Sequence, residues 1–121
     1  MKLLLDTNLL IDLCRFRIDL SEIHHLLLKP AELHVLSKTL NELESLSKKA
    51  KHGKYAKLAL ILVKKNDVKI LDIAGDVDKN LLELADKNFL VATNDRKLRQ
   101  KLKRKGMKTI YLRARKYLAI G

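Results

Sequence analysis

Short apolar runs separated by longer stretches of helical periodicity constrain this chain more than any other feature. Residues 2–5 (Lys-Leu-Leu-Leu), 33–36, 68–73, 89–92 and 109–112 read as strands. The intervening segments read as helices: 7–16, 20–28, 37–47 with Leu40, Leu43 and Leu46 in one stripe, 55–65 with Leu58, Ile61 and Leu62 inward, 76–87 with Asp76 as N-cap, and 94–105 ending at Gly106. Strands that are apolar throughout, each separated from the next by helix, must be covered on both faces. That pattern predicts a parallel sheet between two helical layers, a three-layer α/β/α fold with five strands.

Length and composition agree. A chain of 121 residues buries roughly two-thirds of its unfolded surface as one domain. One Pro and four Gly are too few for a turn-dense sandwich or barrel. Cys14 is the sole cysteine, so no internal disulfide is available. Asp6 and Asp12 cut the apolar start too early for a secretory segment, and the longest apolar run, Leu58 to Val63, is far short of a membrane span. The chain reads as cytoplasmic, with no membrane association.

Charge is unevenly spread. From Arg96 onward there is no acid but eleven cations, whereas the first 95 residues carry fifteen cations and fourteen acids. A near-neutral body with a concentrated basic end is the footprint of a protein that binds a polyanion, and nucleic acid fits best. Arg96, Lys97, Arg99 and Lys101 are the candidate contacts.

Parallel α/β architecture places the C-terminal ends of the strands, and the starts of the helices that follow, on one edge, where ligands bind. Asp6 follows the first strand, Glu42 lies in the first turns after the second, Asp78 opens the helix after the third and Asp95 the helix after the fourth. Each acid alone is explained by the preference of carboxylates for helix N-termini. Four in the same position converge on one rim. Two carboxylates ~5 Å apart repel by about 3 kcal/mol at an effective dielectric near 20. A hard divalent cation, Mg²⁺ or Mn²⁺, relieves that conflict and takes oxygen ligands. Beside a basic segment, such a cluster points to hydrolysis of a phosphodiester.

Leu4-Leu5-Asp6-Thr7-Asn8, Leu40-Asn41-Glu42-Leu43, Asp78-Lys79-Asn80-Leu81 and Val91-Ala92-Thr93-Asn94-Asp95 with Leu98 stand in an order and spacing that resemble a PIN domain, from Met1 to about Tyr111. The basic ending is similar to that of archaeal VapC-type toxin PIN proteins and of the small PIN nucleases of ribosomal RNA processing. The resemblance implies one PIN-like domain over residues 1–121, strand order 3-2-1-4-5, and a Mg²⁺- or Mn²⁺-dependent endoribonuclease leaving 5′-phosphate ends. It makes Asp6, Glu42, Asp78 and Asp95 the metal-binding catalytic residues, with Asn8 and Thr93 as supports. It also implies RNA as substrate, a homodimer through the leftover Leu stripe of residues 20–28 and 55–63, and an antitoxin protein as a partner of the toxin type. One departure is Lys97, which stands where many members carry a further acid. It puts a second metal site in doubt and leaves open a catalytically weak module that holds RNA within a larger complex. Glu44 is a weaker candidate than Glu42.

Other residues carry less. His24, His25, His34 and His52 match no zinc spacing. Cys14 is expected to pack within the first helix. Tyr55, Tyr111 and Tyr117 are of a type that stacks on RNA bases, though in a small domain tyrosines are more often packing residues. Asp72 and Asp76 fall on the same rim as the four acids. No Gly-rich phosphate loop is present. A phosphoacceptor signalling domain modified at Asp6 would gain nothing from an eleven-cation segment.

Overall fold

A computed structural model describes residues 1–51, 53–85 and 88–121. His52 and the helix end expected near Lys87 lie outside the described residues. The elements follow in the order β1 (Lys2–Leu5), α1 (Thr7–Arg15), α2 (Glu22–Leu27), β2 (Glu32–Leu36), α3 (Ser37–Ser47), α4 (Gly53–Lys65), β3 (Lys69–Leu71), α5 (Val77–Ala85), β4 (Phe89–Ala92), α6 (Arg96–Arg104), β5 (Thr109–Arg113) and β6 (Tyr117–Ile120). They form a six-stranded sheet of order β3-β2-β1-β4-β5-β6. The first five strands are parallel to their neighbours, and β6 is antiparallel to β5.

β1 lies at the centre, and its alternation divides the core. Leu3 and Leu5 join one cluster with Leu9, Leu10, Leu13, Leu33, Val35, Leu43 and Ala59, beneath the layer formed by α1 to α4. Leu4 points the other way, into a cluster with Leu36, Leu81, Val91, Leu98 and Leu102 beneath α5 and α6. All three β1 leucines are fully buried. Each contributes about 1.5–3 kcal/mol of burial, so β1 anchors both layers. The chain leaves this centre towards β2 and β3, then crosses to β4 and β5 on the other side. The switch of direction therefore falls between β1 and β4, the place where open α/β sheets bind ligands.

Three features differ from the sequence expectation. The sheet has a sixth strand, because Arg113 to Lys116 forms a tight turn in which Ala114 and Arg115 both take φ of 55° and the Lys116 N–H reaches the Arg113 carbonyl. Such turns are usually marked by Asn or Gly, and this one carries neither. Gly53 begins α4 instead of separating elements; a Cβ there would stand 2.9 Å from the Ser47 carbonyl oxygen, so only Gly permits the approach of α4 to α3. On α4 the inward face is Ala56, Ala59 and Val63, while Leu58 and Ile61 are 47% and 59% exposed. Small residues face the neighbouring helices, and the larger ones are displaced outward.

Candidate active site

Asp6 ends β1 and caps α1, and its surroundings are built from both sides of the switch point. It is 5% exposed. Its Oδ1 accepts the Thr7 N–H at 2.8 Å, and its Oδ2 accepts the Thr93 hydroxyl at 2.8 Å and the Asn8 amide at 3.2 Å. The Asp6 N–H in turn donates to the Ala92 carbonyl, which ties the end of β1 to the end of β4. A carboxylate gripped by three donors has a fixed orientation and exposes its remaining lone pairs in one direction.

Thr93 is fully buried and works in two directions, donating to Asp6 and accepting the Asp95 N–H at 3.1 Å. Asp95 caps α6, with Oδ1 accepting the N–H groups of Lys97 and Leu98 at 3.0 and 3.4 Å. Asn8 supports the same loop, its Oδ1 accepting the Asn94 N–H at 2.9 Å. Asp6 and Asp95, 89 positions apart, are thus linked through a single hydroxyl.

Glu42 is exposed on α3, and Asp78 is half-buried in the first turn of α5. Electrostatics ties them to the other two acids. The Asp6 pKa is raised chiefly by burial, lowered by the hydrogen bonds from Thr93 and Thr7, and raised again by the charges of Asp78 and Asp95. Burial also raises Glu42, which is lowered by the nearby Thr7 hydroxyl and raised by Asp6 and Asp78. Asp78 is raised by burial, then by Asp95 and Asp76, and lowered by Lys101. The four acids from four separate segments therefore form one mutually repelling group. Asp76 caps α5 through the Lys79 N–H at 3.0 Å, and Asp72 accepts the Ser37 hydroxyl at 3.0 Å, pinning the end of β3 to the start of α3.

A hard cation suits this donor set, which is all oxygen and carries excess negative charge. Thr7 Oγ1, which is buried between Asp6 and Glu42 yet completes no hydrogen bond of good geometry, adds a neutral oxygen. Among the described residues no three His, Cys, Asp or Glu side chains stand together as a ready ligand shell. Asp6 is held on both carboxylate oxygens, and Asp95 on one.

Two residues to which the sequence assigns no role belong to this frame. Asn94 donates from Nδ2 to Asp12 at 2.8 Å and accepts the Leu112 N–H on its Oδ1 at 2.8 Å, joining the loop after β4 to α1 and to β5. Its place between Thr93 and Asp95 was the available signal. In the sequence Asp12 stands out only as an interruption of an apolar run.

Among the remaining candidates, Arg96, Lys97 and Lys101 are exposed on α6 and Arg99 is half-buried. Cys14 is half-buried against the larger core cluster. His34 is buried edge-on to Phe89, and His24 accepts the Ala31 N–H.

Residues 3–115 match the family model for the PIN like domain. This chain belongs to that family. A relative, Ribonuclease VapC4 of Methanocaldococcus jannaschii, is 34% identical over 98% of this chain and 95% of its own length. The solved structure of the PIN domain endonuclease Utp24 superposes with a TM-score of 0.81 over 98% of this chain and 90% of that one, at 21% identity. Its likeness is one of fold.

Proposed function

We propose that this protein is a Mg²⁺- or Mn²⁺-dependent endoribonuclease that hydrolyses RNA phosphodiester bonds, of the toxin or RNA-processing type. The observation that carries the reading is the mutual repulsion of Asp6, Glu42, Asp78 and Asp95 at the switch point, beside a helix whose cations have no acid in their own segment. The name of the VapC4 relative and membership of the PIN family support it.

In this reading Asp6, held by Thr7, Asn8 and Thr93, is the fixed ligand, and Asp95, Asp78 and Glu42 complete the acidic rim. A divalent cation bound there would supply an acidified water and neutralise charge developing on the phosphate. Thr93 keeps Asp6 and Asp95 in one register. Lys97 and Lys101, on the flank of α6 nearest Asp78, hold the phosphates beside the scissile bond. The 59%-exposed Ile61 and the 54%-exposed Ile70 border a groove of about 430 Å³ lined also by Leu40, Leu60 and Val63. This is the face assigned to a second copy of the chain; an antitoxin would be a further partner.

The test is cleavage of an unstructured, end-labelled RNA with Mg²⁺, Mn²⁺ or a chelator. Cleavage is expected only with metal, leaving 5′-phosphate ends. Asp6→Asn should lower it by more than the roughly 10- to 100-fold that outer-sphere partners cost. RNA bound equally with and without metal, and never cut, would instead identify a binding-only module.

A further inference from the structure

Helix α6 separates its cations into two sets. Leu98 and Leu102 face the core, and Lys97 and Lys101 lie on the flank towards α5, where Lys101 acts on Asp78. Arg96, Arg99, Gln100 and Lys103 lie on the opposite flank, spaced at helical intervals. With Tyr111 on β5 and Gly121 they line a separate groove of about 440 Å³. The Arg99 guanidinium lies over the Tyr111 ring, Cζ 3.5 Å from the centroid. Its Nε is buried and makes no hydrogen bond. Among the described residues, no carboxylate forms an ion pair with Arg96, Arg99 or Lys103. The guanidinium is therefore held flat by stacking on the ring, and its charge is left uncompensated.

We propose that this groove is a subsite for an unpaired stretch of RNA, in which one nucleobase stacks on the outer face of Arg99 in a base–guanidinium–tyrosine sandwich while Arg96 and Lys103 hold the adjoining phosphates. The inference rests on the ribonuclease reading and adds to it a second place, apart from the acidic rim, where an unpaired base is held. A planar cation already stacked on an aromatic ring suits the face of a base, which every nucleotide offers, and does not suit a carboxylate. Bases in a duplex are stacked on each other and cannot enter. The row from Arg96 to Lys103 extends about 10 Å along the helix axis, and it begins at the residue after Asp95. A strand lying along it would be delivered directly to the acidic rim.

The probe is a short unstructured RNA carrying 2-aminopurine, whose fluorescence is quenched on stacking, titrated against the full chain in chelator so that no cleavage intervenes. Binding to the unsubstituted protein should quench the fluorescence. Arg99→Ala should abolish the quench and weaken binding about tenfold or more. Arg99→Lys, which keeps the charge and removes the plane, should also lose the quench while retaining the salt dependence. Arg96→Ala and Lys103→Ala should each reduce the slope of log affinity against log salt by about 0.7. Quenching by Arg99→Lys equal to that of the unsubstituted protein, or a duplex of the same sequence bound as tightly as the single strand, overturns the proposal. Cleavage of labelled RNA with Mn²⁺ is read separately. Its absence removes the nuclease reading and leaves the groove to be judged on fluorescence alone.

Discussion

Replacing Thr93 with Val removes one hydroxyl and leaves the side-chain shape unchanged. That hydroxyl is fully buried, donates to Asp6 at 2.8 Å and accepts from the Asp95 N–H at 3.1 Å. The first bond is to a charged acceptor and contributes about 1.5–3 kcal/mol; loss of the second leaves a backbone N–H without its acceptor at a further ~1 kcal/mol. No cavity forms, so the expected destabilisation is about 2–4 kcal/mol, or roughly 10 °C in melting temperature for a domain of this size. Thr39 provides the internal control. It is equally buried, but its hydroxyl has no hydrogen-bond partner, so Thr39→Val should be neutral or stabilising. Urea denaturation of both variants in chelator measures the difference. Equal effects in the two, or a Thr93→Val cost below about 0.5 kcal/mol, would refute the view that Thr93 holds the two aspartates in register.

Three further outcomes follow from the same geometry. Asp6, Glu42 and Asp78 have folded pKa values above their ordinary 3.8, 4.5 and 3.8, so the stability they contribute is complete below those values and is lost as pH rises through the folded ones. Asp78→Asn should therefore stabilise the metal-free protein at neutral pH by about 0.5–1 kcal/mol after solvent screening, with no gain at pH 3; thermal melts across pH read this. Asn94→Ala cuts the links to Asp12 and Leu112 and should cost about 1–3 kcal/mol in denaturant, with a fall in cleavage rate at saturating RNA. Truncation after Arg115 removes the buried Leu118 and the paired backbone bonds between Thr109 and Gly121, and should lower the melting temperature by at least roughly 10 °C.

The alternation of apolar runs with helical periods was enough to read five strands and their parallel arrangement, because buried parallel strands need no polar face. The same logic misses an antiparallel edge. β6 is paired on one side only, and its turn is Arg-Ala-Arg-Lys, so neither composition nor turn chemistry marks it. The inward face of α4 was misread for a related reason: apolar periodicity locates a stripe but does not say that neighbouring helices approach closely enough to admit only Ala and Gly. At the site, position relative to the strand ends brought out the four acids, whereas Asn8 and Thr93 entered only through the resemblance to PIN domains. The Arg99–Tyr111 stack was not legible, since it joins a helix to a strand twelve residues away and depends on side-chain direction alone. Asn94 stands within the Thr93-Asn94-Asp95 motif, but an amide that bridges three segments looks, in sequence, like any loop asparagine.

Calorimetric titration of Mn²⁺ into the metal-free protein at neutral pH tests most directly whether the acidic rim is a cation site. A saturable isotherm that Asp6→Asn abolishes and Asp78→Asn weakens, with Glu44→Gln unchanged from the unsubstituted chain, is the predicted result. Identical isotherms for all four proteins, or no heat beyond dilution from the unsubstituted chain, would contradict it.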